Sequence, residues 1–200
     1  MIIRCLDLEG VLVPEIWIAV SKKTGIRDLR FTTRDVPDYD VLMKRRLKIL
    51  KENKIKLKDI QNVIRKIRPL PGARAFLDKL RSRGQVLILS DTFEEFAGPL
   101  MESLGRPSIL CNELLVDRKG FISSYRLRQK NGKEKAVKAL RGIGYRVAAA
   151  GDSYNDITML RAADRGVLFR PPANIVKEFP RFQVTKNYHQ LFNALTGGRR

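Results

Sequence analysis

The stretch Ile2-Ile3-Arg4-Cys5-Leu6-Asp7-Leu8-Glu9-Gly10-Val11 decides the fold. It begins as a short, almost continuous apolar run and then meets two acids spaced two residues apart. Runs of that kind are the signature of strands buried on both faces of a sheet. The pattern recurs at residues 86–89, 147–150 and 167–169. Each recurrence is followed by a helix-like segment, at residues 94–104, 155–163 and 174–179. Strands alternating with helices predict an α/β protein with a parallel sheet sandwiched by helices. Residues 108–116 and 121–127 flank Asp117-Arg118-Lys119-Gly120, which reads as a β-hairpin turning at Lys119-Gly120.

The first strand is not followed by a single crossover helix. Residues 13–72 read as several helices. Pro14 suits a first helical position and Gly25 a C-terminal stop. Asp38 is placed to cap a helix over residues 39–53. Leu57, Ile60, Ile64 and Ile67 mark another helical stripe. Pro69, Pro71 and Gly72 then punctuate a return to the main body. The expected division is an α/β core of residues 1–12 and 73–200, with a small helical cap of residues 13–72 inserted after strand one.

The chain has 200 residues, 44% of them hydrophobic, enough for one proper core. No apolar run approaches the ~20 residues of a membrane span, and the N-terminus lacks the longer apolar stretch of a signal peptide. A cytoplasmic protein with no membrane partner is expected. Cys5 and Cys111 both lie in apolar segments and are expected to be reduced core residues. Forty Lys and Arg stand against 21 Asp and Glu, a net charge of +19. The expected cap holds 16 of the former and 7 of the latter, a net of +9. Such an excess suits a nucleic-acid binder, but the basic residues carry no Gly-Arg repeat, aromatic RNA-binding pair or zinc-ligand set, so nucleic acid is not expected as the main partner. The charge should attract phosphorylated ligands at low salt.

Three strand ends carry chemistry. Asp7 and Glu9 lie where strand one stops, and side chains two apart on an extended chain point the same way. Ligands of α/β sheets bind at such carboxyl ends, and two close carboxylates repel unless a cation or shared proton relieves them. Gly10 lets the backbone approach a ligand. An acidic pair capping a helix is the alternative. Leu89-Ser90-Asp91-Thr92 ends the second strand with a hydroxyl, where Ser90 and the N–H groups beyond it can hold phosphate oxygens; an ordinary helix N-cap is the alternative. Ala150-Gly151-Asp152-Ser153-Tyr154-Asn155-Asp156 ends the third. Asp152 is placed to bind a hard cation, and Mg²⁺ favours a few carboxylates plus phosphate oxygen and water. Asp156 is a direct ligand or a support for one, and Asn155 reaches phosphate or orients a neighbour. Lys133 opens a predicted helix and can neutralise a transferring phosphoryl group, with Lys130 and Lys135 as rivals.

In order and spacing these motifs resemble the haloacid dehalogenase-like superfamily of aspartyl-phosphate phosphatases. Within it the chain is similar to the phosphoserine phosphatases with a small helical cap. The bifunctional phosphoserine phosphatase and homoserine phosphotransferase branch resembles it most. The segments that carry this resemblance are residues 5–19, 38–44, 89–93 and 149–156. The resemblance implies a Rossmann-like sheet with a C1-type cap and Mg²⁺ as cofactor. Its implied substrate is O-phospho-L-serine, with water or homoserine as acceptor, in serine and threonine biosynthesis, by a monomer or dimer. It implies that Asp7 attacks phosphorus and that Glu9 is the general acid and then base. Asp7, the backbone carbonyl of Glu9 and Asp152 would hold the metal, with Asp156 supporting them. Ser90, Asp91, Lys133 and Asn155 would serve the phosphoryl end. Glu15 would face the substrate amine and Arg46 its carboxylate. The superfamily usually has Asp where this chain has Glu9, and the bifunctional branch also carries Glu.

Arg46 has independent support. It lies three residues after Met43, four after Leu42 and four before Leu50, hence on an apolar helix face. An arginine there needs a partner, and its fork suits a carboxylate. The alternative is a stem along the cap edge with its head in water. His189 is expected at the surface, Trp17 in the packing of the cap, and residues 197–200 as a frayed basic tail. Two other functions stay open: a phosphatase of the same mechanism for another small ester, or a phosphate- or nucleic-acid-binding protein without activity.

Overall fold

A computed structural model describes residues 1–33, 35, 36 and 38–197. Ile2–Leu6 forms β1, and Val86–Phe93 and Arg146–Gly151 form the strands on its two sides, β2 and β5. Ser108–Val116 (β3), Ile122–Arg126 (β4), Arg165–Phe169 (β6) and Gln183–Thr185 (β7) complete the sheet. Among the described residues the strand order is β4-β3-β2-β1-β5-β6-β7. Every pairing is parallel except β3 with β4, the expected hairpin.

The strands alternate between two apolar clusters, as a period of two requires. Leu6, Ile88, Ala148, Ala150, Val167 and Phe169 face one. Cys5, Leu89, Val147, Ala149 and Leu168 face the other. Helices cover both faces. Ala73–Arg81 (α4), Glu94–Ser103 (α5) and Tyr188–Thr196 (α9) pack on the first cluster; Gly132–Gly142 (α6), Ile157–Ala162 (α7) and Ala173–Glu178 (α8) pack on the second. Both cysteines are buried and unpaired. No helix of the described residues is long and apolar enough to cross a membrane.

Between β1 and α4 the chain forms α1 (Ile16–Thr24), a 3₁₀ turn (Arg27–Arg30), α2 (Tyr39–Glu52) and α3 (Leu57–Ile64). Gly25 ends α1 with φ +74, and Asp38 caps α2 by accepting from the Val41 N–H. Trp17 of α1 meets Phe96 of α5 edge-on at 5.8 Å, and Gln61 of α3 donates to the Glu95 carbonyl. The insert and the sheet thus share one apolar cluster.

Local readings shift in four places. Pro14 lies before the helix, since α1 starts at Ile16 with Glu15 at its cap position. Ile67 falls beyond α3 but still packs on the core. The segment at 155–163 splits into a 3₁₀ turn, Tyr154–Asp156, and α7. Strand β2 does not stop at Ser90; it continues to Phe93 through an irregularity after Leu89. Of the expected basic tail, Gly197 caps α9 in the left-handed region and residues 198–200 lie outside the described residues. His189 is exposed.

Candidate active site

The strand order reverses at β1, whose neighbours β2 and β5 arrive from opposite halves of the chain. The crevice at such a switch point, beyond the carboxyl ends of the strands, is where open α/β sheets bind ligands. Asp7 follows β1 directly, Ser90 to Thr92 lie in the last half of β2, and Asp152 follows β5. A cavity of about 70 Å³ opens there, lined by Asp7, Glu9, Ser90, Thr92, Lys133 and Asp152 from the sheet side. Glu15, Trp17, Tyr39, Leu42 and Arg46 line it from the insert.

Lys133, at the start of α6, is buried at the bottom. Its Nζ lies 2.9 Å from Asp7 Oδ1, 2.8 Å from Asp156 Oδ1 and 3.4 Å from Asp91 Oδ2. Lys130 and Lys135 are exposed. Burial works against the ammonium charge, but Asp156, Asp7 and Asp91 outweigh it and hold Lys133 protonated, well above the usual lysine range. Asp7 is pushed well above the carboxylate range by burial and by Asp156 and Asp152, with Lys133 pulling the other way. Asp7 Oδ1 also accepts from the Leu8 N–H at 2.7 Å.

Asp156 is wholly enclosed. Its Oδ1 takes Lys133, and its Oδ2 takes the N–H groups of Asp152 and Ser153 at 2.9 and 3.1 Å. That carboxylate fits only because residue 151 is glycine: a Cβ there would stand 2.3 Å from Asp156 Cγ. Gly10 does the same for Asp152. It sits at φ +76, and a Cβ would lie 2.4 Å from Asp152 Oδ2. The tight turn after β1 is fastened by Gly10 N–H to the Val13 carbonyl and Val13 N–H to the Leu8 carbonyl.

Carboxylate oxygens of Asp7, Asp152 and Asp156 lie within 4.8 Å of one another, all buried. Three buried carboxylates against one buried ammonium leave a local negative excess, and burial of such an excess is unfavourable without a cation. The oxygen-only donor set fits a small hard divalent ion. Both Asp156 oxygens are already engaged, by Lys133 and by the N–H groups of Asp152 and Ser153.

Glu9 Oε2 accepts from the Ile16 N–H at 2.8 Å, so this side chain caps α1 across seven residues. Burial and the neighbouring Glu15 push its carboxyl up to about 8. A group so tuned is a proton donor near neutral pH. Arg46 is not at a wet edge. Its guanidinium lies 4.5 Å over the Trp17 ring, Nη2 donates to the Phe31 carbonyl at 2.8 Å, and Nη1 contacts Met43 Sδ at 3.6 Å. Its Nε is buried with no partner among the described residues. Burial lowers its pKa to about 10 while Glu9, Tyr39 and Glu15 support its charge.

Asn155 Nδ2 donates to Asp91 Oδ2 at 2.8 Å and Asn155 Oδ1 accepts from Ser153 Oγ, so this amide orients Asp91. Asp91 stands at the rim with its side chain 39% exposed. Its carbonyl accepts from Tyr39 OH at 3.0 Å. Tyr39, which opens α2, had no signal in the sequence beyond following a helix cap. Trp17 was expected only to pack; it also seats the Arg46 guanidinium. Neither contact has a local periodicity, because each joins segments far apart in the chain.

A family model described as haloacid dehalogenase-like hydrolase matches residues 5–164. A phosphoserine phosphatase of Pseudomonas syringae pv. tomato is 58% identical over 189 residues, 94% of this chain and 80% of that protein. The phosphoserine phosphatase ThrH of Pseudomonas aeruginosa is 57% identical over 191 residues, 96% of this chain and 93% of that protein. A solved phospho-aspartyl intermediate analogue of phosphoserine phosphatase superposes with a TM-score of 0.79 at 20% identity, covering 96% of this chain and 97% of that one. A substrate-bound phosphoserine phosphatase complex gives 0.76 at 18% identity, covering 96% of each chain. At these identities the two structures share the fold.

Proposed function

The chain belongs to the haloacid dehalogenase-like hydrolases, and from that premise we propose that it is a cytoplasmic phosphoserine phosphatase with homoserine phosphotransferase capacity, working through a phosphoaspartate at Asp7. One observation carries the reading. Asp7 and Lys133, 2.9 Å apart and buried, face a cavity that Arg46 and Glu15 close from the insert. A nucleophile and cation for phosphoryl transfer therefore share one space with a cation and an anion suited to an amino-acid head.

In this reading Asp7 attacks phosphorus through its carboxylate, and the seryl oxygen leaves as Glu9 protonates it. Glu9 then takes the proton of the acceptor, water or homoserine, as that oxygen attacks the phosphoaspartate. Splitting the transfer into two displacements lowers each barrier. Ser90 and Lys133 hold phosphoryl oxygens, and positioning with charge stabilisation supplies most of such catalysis. Asp7, the Glu9 carbonyl and Asp152 would hold Mg²⁺, which supplies charge compensation on the phosphoryl group. Asp156 and Asn155 position Lys133 and Asp91. Residues 13–72 act as the cap over residues 1–12 and 73–200. The decisive experiment is a screen of phosphate esters with Mg²⁺, with and without homoserine, following where the phosphoryl group goes. No turnover of O-phosphoserine in either arm would end the proposal.

Two variants test the assignments. Arg46→Ala should lower kcat/KM for O-phosphoserine by roughly 10- to 100-fold, the scale of a lost charged hydrogen bond. An aryl phosphate, having no carboxylate, should lose far less; equal losses would contradict carboxylate recognition. Glu9→Gln should slow turnover of O-phosphoserine by about 10²–10⁴. A phosphate ester with a better leaving group should recover part of that rate, and no recovery would rule out acid help.

A further inference from the structure

A substrate gripped at both ends of the cavity spans two parts of the chain. Ser90 and Lys133 belong to the sheet and its helices, whereas Glu15 and Arg46 belong to the insert. The distance between those ends must be set by a contact that joins the two parts. Tyr39 is the first residue of α2, and Arg46 stands seven residues on, two turns along the same face and roughly 10 Å up the axis. Tyr39, Leu42 and Arg46 all line the cavity. The Tyr39 hydroxyl reaches from the insert to the sheet and donates to the Asp91 carbonyl at 3.0 Å, one residue past Ser90. That carbonyl is available because β2 is irregular there. Ser90, Asp91 and Thr92 stand opposite Cys111 alone, so pairing with β3 lapses between Leu89 and Phe93. Bulges of this kind turn groups out of the ladder near functional sites. Asn112 Nδ2 donates to the same carbonyl at 3.3 Å, and Asn112 Oδ1 takes the Arg128 N–H at 3.1 Å, so the Asp91 peptide is held from the sheet side as well. Beside the bond, Tyr39 meets Tyr125 of β4 edge-on at 6.0 Å, and the Tyr125 hydroxyl donates to Asp40. Further along, α2 is fastened within the insert, by Arg45 to Asp28 and by Arg46 to the Phe31 carbonyl. The start of α2 is thus where the helix that carries Arg46 is tied to the sheet.

We propose that Tyr39 is a positioning residue, whose hydroxyl bond to the Asp91 carbonyl sets the span between the phosphoryl end of the cavity and Arg46, and with it the length of phosphorylated amino acid that bridges them. The proposal rests on the phosphatase reading. Tyr39 acts here through Arg46, by fixing where the guanidinium stands relative to Ser90 and Asp7. Such spans tolerate little slack, since a misplacement of about 1 Å can cost on the order of 10²-fold in rate.

Tyr39→Phe keeps the ring and its contact with Tyr125 and removes only the hydroxyl. The Asp91 carbonyl keeps Asn112 as a partner, so the change leaves no new unmet group in the fold. With the full chain and Mg²⁺, kcat/KM for O-phosphoserine should fall by roughly tenfold, the upper range for one neutral hydrogen bond. An aryl phosphate, which offers Arg46 no carboxylate, should lose far less. In an Arg46→Ala background the hydroxyl has no anchor left to position. There Tyr39→Phe should cost O-phosphoserine turnover no more than about twofold, the non-additivity expected of residues that act as one unit. Unchanged kcat/KM for O-phosphoserine in the single variant would overturn the proposal. So would equal losses on the two esters, the mark of a general structural defect. An undiminished loss in the Arg46→Ala background would overturn it too, because the hydroxyl would then act independently of Arg46. A wild-type protein that leaves O-phosphoserine untouched would end the phosphatase reading itself, a result distinct from a wild type and a Tyr39→Phe variant that cleave it equally well.

Discussion

Asp7→Asn should abolish turnover, by roughly 10³-fold or more, the scale on which loss of a covalent nucleophile is felt, while leaving the fold intact or firmer. The second half of that expectation follows from the crowding of charge. Asp7 shares a buried space with Asp152 and Asp156 and a single ammonium, and its surroundings favour the neutral carboxyl. An amide of the same shape is neutral at every pH, the state those surroundings already favour. Without a divalent ion, the variant should therefore melt at or above the wild-type temperature. Adding Mg²⁺ should stabilise the wild type by about 2.7 kcal/mol at a hundredfold excess over Kd. The variant, missing one donor, should gain much less. Wild-type-like activity would remove the phosphoaspartate, and an equal response to Mg²⁺ would remove Asp7 from the metal site.

Lys133→Met should be damaging in both activity and stability. The methionine keeps the length of the stem but takes away the cation that faces Asp7, Asp91 and Asp156. Breaking a buried ion pair by removing one partner costs about 3–5 kcal/mol. For a chain of this size that is a fall in Tm on the order of 10 °C. Mg²⁺ should recover part of the lost stability, since it supplies positive charge to the same cluster, but not the activity. A variant as stable as wild type, by thermal or denaturant unfolding, would show that Lys133 does not compensate these carboxylates.

The sheet was legible because β1 and β5 are nearly pure apolar runs that end in Asp7 and in Gly151-Asp152. The end of β2 was not. Its apolar run stops at Leu89, yet the strand continues through three polar residues, because Phe93 regains pairing with Asn112 after the irregularity. Strand β7 has three residues with one buried, too little to register as a period of two. Helix α1 starts two residues later than Pro14 suggests because Glu9, seven residues upstream of Ile16, supplies the cap. At the site, the carboxylates could be read from strand ends, whereas Lys133 had two rivals within three residues. Only the fold separates them, burying one and leaving the others in water. The seat of Arg46 on Trp17 was equally invisible, since 29 positions of sequence separate the guanidinium from the ring, and only tertiary packing brings them together.

The Glu9–Ile16 bond means that residue 9 starts a helix with the same carboxyl group that the mechanism asks to shuttle a proton. Truncations such as Glu9→Ala therefore conflate two losses, and a dead enzyme would not say which one killed it. Glutamine keeps an oxygen for the Ile16 amide while forfeiting the acidic proton, so it is the substitution at this position whose kinetics can be interpreted without a parallel measurement of helix content.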